Sequence, residues 1–379
     1  MSSALPNKFA CIGHPMDVEQ FRSYVNLLRA ASKYPEKEFK DKLLIKLFEW
    51  TPSFKVKDIP RVGFKGSGKV DGIVVMVPFL PEMKDIRVKE IGDKIENAIE
   101  ISAIEGCTVA ALGGFTSIVL QGREQDISNK YGISLTSGNT LTAAVIVRSV
   151  EQTAKRFGLE LGDATMAIVG ASGDIGSGCT GYFCDKVKNL LLTARGVDKL
   201  QEVVHKYHGS TTSNIELFND KENEVAISRA DIVIFVTSAY REIVSLADFG
   251  PRTIVCDASA PLNVKVNGNL RPDVFIYHGG IVSLPFEIDP GVDVGLASTK
   301  NFYGCQVEGI LIALHPELPC SWGRGRISRE KLQLFLGILD STPDLNVSFT
   351  IGSKEYTEEE LEEYFSKWKE ISKVPIQNL

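Results

Sequence analysis

The sequence predicts an α/β fold on parallel sheets, in two domains followed by a helical segment. Three observations carry this expectation. Short, almost wholly apolar runs of strand length alternate with stretches of helical periodicity, the pattern of a parallel sheet covered on both faces. A glycine-rich turn, Gly170-Ala171-Ser172-Gly173-Asp174-Ile175-Gly176, stands between one such run and one such helix. The 379 residues also exceed what a single core usually organises.

Composition narrows the class. With 44% hydrophobic and 24% charged residues, the chain is that of an ordinary globular protein. Its formal net charge of −6, with Lys and Arg spread along the chain, offers no basic footprint, so no nucleic-acid partner is expected. The longest apolar runs, around Val74-Val75-Met76 and Ile232 to Val236, fall far short of the ~20 residues of a membrane span. Residues 1–10 show neither a basic start nor an apolar h-region, and a cytoplasmic location is expected. Seven cysteines show no C-x-x-C spacing and five histidines form no H-x-x-x-H pair, so reduced thiols and no metal site are expected.

Residues 1–150 read as an N-terminal α/β substrate domain. Phe9 to Gly13 is a strand, Met16 to Ala31 a helical pattern, and Asp71 to Val77 a strand that stops at Pro78. Pro81 to Ile104 carries Ile91, Ile95, Ala98, Ile99 and Ala103 at helical steps. Val109 to Leu112 is a strand ending at Gly113-Gly114, and Ser137-Gly138-Asn139-Thr140 leads into a long helix reaching Phe157.

Residues 151–300 read as successive β-α units. Strands are expected at Thr165 to Val169, Leu190 to Thr193, Asp231 to Val236, Thr253 to Asp257 and Val274 to Tyr277, with helices at Ile175 to Lys186 and Val197 to Tyr207. This is a Rossmann-like doubly wound parallel sheet. Residues 301–379 are expected to form a helical C-terminal segment, with helices at Gly304 to Leu314 and after Tyr356; the acidic final helix is given no function.

Glycines alone mark plain turns, but here Gly170 follows a strand directly and Gly176 lies in a helix's first turn. That is where a pyrophosphate meets the backbone N–H groups and positive end of a helix. Gly170, Ser172, Gly173, Asp174, Ile175 and Gly176 are therefore cofactor-binding candidates. The end of the second strand selects the cofactor. An acidic residue about 20 residues past the turn usually holds the ribose 2′-hydroxyl of NAD. This chain has Leu192-Thr193-Ala194-Arg195 instead, and an arginine pairs with a 2′-phosphate. NADP(H) is the expected cofactor, with Thr193, Arg195, Ser238, Gly279 and Gly280 added to its site.

Gly138-Asn139-Thr140-Leu141 resembles the G-x-N-T-D motif of shikimate dehydrogenase-like proteins, with Leu141 at the aspartate position. A leucine relays no proton, which disfavours that chemistry while allowing the two-domain plan. Helix capping accounts for Asn139 and Thr140 equally well. Further motifs occur in order: Leu80-Pro81-Glu82-Met83, Ala111 to Val119, Gly138-Asn139-Thr140, Gly170 to Gly176, Gly279-Gly280-Ile281-Val282 and Ser321-Trp322-Gly323-Arg324. Together, over roughly residues 9 to 330, they resemble the long-chain acyl-[acyl-carrier-protein] reductases of cyanobacteria. Ser32 to Lys69 and the tail beyond Asp340 have no clear counterpart.

The resemblance implies NADPH-dependent reduction of a fatty acyl thioester, on acyl-carrier protein or CoA, to an aldehyde through a cysteine acyl-enzyme. The family's cysteine falls on Cys305, in Phe302-Tyr303-Gly304-Cys305-Gln306-Val307-Glu308-Gly309. Independently, Cys305 follows a glycine at a helix start, where N–H groups and the dipole are expected to lower a thiol pKa. Cys256, at a strand end, is its rival; Cys179 and Cys184 read as core. His278 is a candidate proton donor and Glu82 a further catalytic candidate. His14, Gly113, Gly114, Asn139 and Thr140 are substrate candidates. Two other readings stay open: an NADP-dependent dehydrogenase of a small hydroxy or amino acid, and a nucleotide-sensing protein without turnover.

Overall fold

The computed structural model describes residues 7–22, 40–83, 87–266, 270–322 and 327–371. The chain forms two compact units: Met1–Asn139 with Ser283–Gly323 and Thr342–Leu345, and Thr140–Val282 with Arg324–Ser341 and Asn346–Leu379. These bounds differ from the contiguous partition expected at 150 and 300. The first crossing falls at Asn139 and Thr140, the opening residues of the Asn139–Phe157 helix. The stretch carrying Cys305 returns to the N-terminal unit.

In the first unit, β1 (Lys8–Gly13), β2 (Phe54–Val62), β3 (Val70–Met76), β4 (Val109–Leu112) and β5 (Ser134–Thr136) form one sheet in the order β2-β3-β1-β4-β5. Only β2 runs antiparallel to its neighbour. The central strand β1 is apolar on both faces, with Phe9, Ala10 and Ile12 fully buried. One helix, Val88–Ile104, buries Ile91, Ile95, Ala98 and Ile99, the stripe its periodicity announces. Ile91, Ile95, Ala98 and Ile99 share a core with Ala10, Ile12, Ile73 and Val75 of the sheet. The Gly304–Leu314 helix is apolar nearly all round, and Gly309 lets it approach Ala111 of β4 closely. The helical pattern expected at Met16 to Ala31 lies, beyond residue 22, outside the described residues.

In the second unit, β6 (Thr165–Val169), β7 (Asn189–Ala194), β8 (Asn214–Asn219), β9 (Ile232–Phe235), β10 (Thr253–Asp257) and β11 (Val274–His278) form an all-parallel sheet. Their order is β11-β10-β9-β6-β7-β8. The chain winds outward from β6 in one direction, then returns to β9 and winds in the other. The direction reverses between β6 and β9, and in such sheets ligands bind outside the strand ends at that point. The Rossmann-type expectation is thereby met. The final helix, Glu358–Ile371, packs Phe365 and Trp368 on Phe157, with ring centroids 4.7 and 4.5 Å apart. Its role in this unit is core packing.

Candidate functional site

The glycine turn follows directly from β6. Gly170 sits at φ +94°, and a Cβ there would lie 2.7 Å from the carbonyl oxygen of Val236, so the close approach of the β6 and β9 ends requires glycine. The N–H groups of Gly170 and Ala171 both donate to Thr193 O at 3.0 Å, tying the turn to the end of β7. Gly173 then caps the Asp174–Phe183 helix in extended conformation. The first N–H groups of a helix have no acceptor within it, which leaves them to face an anion.

At the end of β7, Arg195 is exposed and its Nη2 lies 3.5 Å from Ser238 Oγ, beyond the end of β9. Asn219 Nδ2 donates to Arg195 O at 3.1 Å and fixes the backbone beneath it. A guanidinium and a hydroxyl side by side suit a 2′-phosphate. The residues present therefore fit NADP(H). Thr193 contributes differently from the expectation: its side chain is buried and donates to Asn223 Oδ1 at 2.6 Å, so only its carbonyl serves the turn.

The loop after β9 is held by residues that sequence reading missed. Asp257, buried at the end of β10, accepts from the backbone N–H of Ser259, Asn263 and Val264. Asn263 accepts from Thr237 Oγ1, and Ser259 Oγ accepts from Thr237 N at 3.2 Å. Burial raises the Asp257 carboxyl to about 6 despite those donors.

In the first unit, Cys305 occupies the first turn of the Gly304–Leu314 helix, half-buried. The neighbouring backbone N–H groups of Gly114 and Gln306 favour the charged form of its sulfur. Gln306 Nε2 donates to Ile12 O at 3.0 Å, pinning the helix start to the end of β1. On another side, Gly138 at φ +67° presses so near that a Cβ would fall inside contact of Cys305 Cα and O. The Gly113-Gly114 turn that supplies one of these N–H groups is held by His14, whose Nε2 accepts from Phe115 N at 3.0 Å.

Comparison with known proteins adds the family context. The family model for shikimate / quinate 5-dehydrogenase matches residues 151–278, the span that contains the whole six-stranded sheet. A long-chain acyl-[acyl-carrier-protein] reductase of Synechococcus elongatus is 29% identical over 344 residues, covering 86% of this chain and 94% of that protein. The chain resembles the acyl-[acyl-carrier-protein] reductases. An aminotransferase, PigE, of a Serratia species is 23% identical over 81% of this chain but only 36% of its own length. Among solved structures, an L-tryptophan dehydrogenase from Nostoc punctiforme matches 70% of this chain and 66% of its own at 13% identity, with a TM-score of 0.31. The chain is an NAD(P)-dependent oxidoreductase with a Rossmann-type nucleotide domain, and the likeness to the reductase and to the dehydrogenase family model supports NADP(H) as the cofactor.

Against this resemblance to a reductase, several sequence expectations need correction. The helix start does not give Cys305 a low pKa: burial first, and the charge of Glu308, outweigh the Gly114 and Gln306 N–H groups and push the thiol to about 11. Cys256 is fully buried beneath Gly279, and burial pushes it to about 12, which leaves it no access to a substrate. Cys179 and Cys184 are buried, as expected. His278, half-buried beside Asp257 in register, is held by burial at about 4, so it lacks the imidazolium form that an acid uses at neutral pH.

His14 also departs from its expected substrate role. Its Nδ1 meets Pro15 O at 2.9 Å while Nε2 accepts from Phe115, and its ring stacks on Phe79 at 4.3 Å. Glu82 stands exposed on the one-turn 3₁₀ helix Pro81–Met83, outside the hydrogen-bonded cluster around Cys305 among the described residues. Asn139 is half-buried and Thr140 buried where the long helix opens. Gly279 and Gly280 follow β11, with Gly279 N donating to Asp257 O at 2.8 Å. Gly323 and Arg324 of the last family motif lie outside the described residues. Thr136, Gln306, Glu308 and Ser321 form the cluster that sequence reading missed; the pair Cys305 and Glu308, three apart on one helix, was its one available signal.

Proposed function

We propose that this protein reduces a fatty acyl thioester, borne by acyl-carrier protein or CoA, to an aldehyde with NADPH, through an acyl group held on Cys305. The observation that carries the reading is a half-buried cysteine in the first turn of the Gly304–Leu314 helix, approached so closely by Gly138 that no side chain fits between them. The Synechococcus relative is named for the same class of substrate.

In the first step the Cys305 Sγ–C bond forms as the carrier's C–S bond breaks, and the thiol proton leaves on the carrier's sulfur. Gly114 and Gln306 stabilise the sulfur while it carries negative charge during attack. Gln306, pinned to Ile12, keeps that geometry from relaxing, and Gly138 leaves the approach no room for a side chain. NADPH, when bound, supplies the hydride that turns the acyl group into an aldehyde and, with one proton, restores the Cys305 thiol. Arg195 and Ser238 hold its 2′-phosphate, and the Gly170–Gly176 turn its pyrophosphate. On this reading the first unit handles the acyl group and the second the nucleotide.

The test is incubation of the full chain with acyl-CoA or acyl-carrier substrate and NADPH, following cofactor oxidation and aldehyde formation together. Aldehyde in proportion to cofactor consumed is the expected result. Oxidation of a hydroxy or amino acid with NADP, and none of an acyl thioester with NADPH, would overturn it.

A further inference from the structure

Cys305 stands between two stretches of backbone, each held by one side chain. His14 holds the Gly113–Phe115 turn. The other stretch, residues 136–138, is held by Glu308, which is fully buried on the Cys305 helix. Glu308 Oε1 accepts from Thr136 Oγ1, and from Ser321 N at 3.3 Å. Thr136 Oγ1 in turn accepts from Gly138 N at 3.2 Å and from Ser321 N at 3.0 Å. Ser137 N closes the ring by donating to Ser321 O at 2.7 Å. Burying a carboxylate is costly, and a helix otherwise lined by Val307, Ile310, Leu311 and Ile312 has no packing need of one.

We propose that Glu308 is a positioning residue for Cys305, fixing the 136–138 backbone against the thiol and placing a carboxylate one helix turn from it. The inference rests on Cys305 being the acyl acceptor. A carboxylate opposes a second negative charge nearby, whereas the Gly114 and Gln306 N–H groups favour one. Three titratable groups near the sulfur among the described residues are neutral at neutral pH. Cys11 on β1 and Tyr303 on the strand entering the helix are both pushed up by burial, and His14 is held neutral. Lys8 and Asp71, the charged residues of β1 and β3, pair at the opposite ends of those strands. The Glu308 charge thus adds to the burial that keeps the sulfur protonated. When the thioester binds, the guarded proton leaves on the carrier's thiol as the new C–S bond replaces the old, so the exchange needs no further acid.

The experiment is alkylation of the full chain by iodoacetamide across a pH series, without thioester or cofactor, with the label at Cys305 read by peptide mass. Glu308→Gln removes the charge and should move the profile to lower pH by about one unit, a gain of about tenfold at a fixed pH below the midpoint. Glu308→Asp keeps the charge, so its profile should stay near the parent while acyl transfer slows. If Glu308→Gln fails to fold by circular dichroism, Thr136→Val serves instead: it removes the hydroxyl that links Glu308 to the 136–138 backbone and should shift the profile the same way. A profile that superimposes on the parent in the folded variant overturns the inference. A shift without any acylation of Cys305 contradicts the proposed reaction instead, so the two failures are distinguishable.

Discussion

The backbone N–H of Phe115 donates to Nε2 of His14 at 3.0 Å, and with Nδ1 on Pro15 O both nitrogens of the ring are committed to the chain itself. The imidazole is a neutral brace for the Gly113-Gly114 turn, which packs on Gln306 next to Cys305. His14→Ala should therefore lower the rate of acyl transfer and destabilise the protein by about 1–3 kcal/mol, the cost of an unsatisfied buried donor. A pH–rate profile lower in height but unchanged in shape is expected. Loss of an inflection near the ordinary 6.5 would instead identify His14 as a proton-transfer group.

Acid stability follows from the same ring and its counterpart in the other unit. His14 and His278 are both lowered by burial from 6.5 to about 4. Between those values the unfolded chain binds protons that the folded chain does not. Their contribution is complete above 6.5 and is lost as the pH falls toward about 4. Urea midpoints should fall across that window, and less steeply in His278→Gln; an equal fall in parent and variant would contradict the assignment for His278.

Cofactor choice is expected to depend on Arg195. Its guanidinium, 3.5 Å from Ser238 Oγ, is placed for a 2′-phosphate, and a charge-assisted contact contributes about 1.5–3 kcal/mol. Arg195→Ala should weaken NADPH binding by roughly one to two orders of magnitude while leaving NADH binding nearly unchanged. Titration of the parent with both cofactors supplies the control: equal affinities there would remove Arg195 from the recognition of phosphate.

Two glycines separate the functions of the two units. A Cβ at Gly170 meets Val236 O at 2.7 Å, and one at Gly138 collides with the Cys305 backbone. Gly170→Ala should abolish NADPH binding yet leave thioester exchange onto the enzyme measurable. Gly138→Ala should do the reverse. Loss of both activities in either folded variant would contradict this division.

The sequence showed what a local pattern can encode. Apolar central strands such as β1, β3, β6 and β10, the glycine turn and the Gly304–Leu314 helix were legible, because each states its burial in consecutive residues. The polar edge strands β2 and β8 were not. In β2, Phe54 to Val62 mixes charges with Pro60 and its pairing is irregular, and β8 is largely polar, since an edge faces solvent and loses the apolar run. The surroundings of Cys305 were hidden for another reason. Thr136 and Glu308 bond across 172 residues, and Glu308 reads locally as one charge on a helix. The helix start beside Cys305 was readable; the burial that outweighs it belongs to the folded unit.

The most direct test of the central claim is mass spectrometry of the full chain incubated with an acyl thioester in the absence of NADPH. An acyl adduct should appear on Cys305, vanish when NADPH is added, and be missing from Cys305→Ser, which should still bind NADPH. An adduct on another cysteine, or normal turnover by Cys305→Ser, would contradict the account.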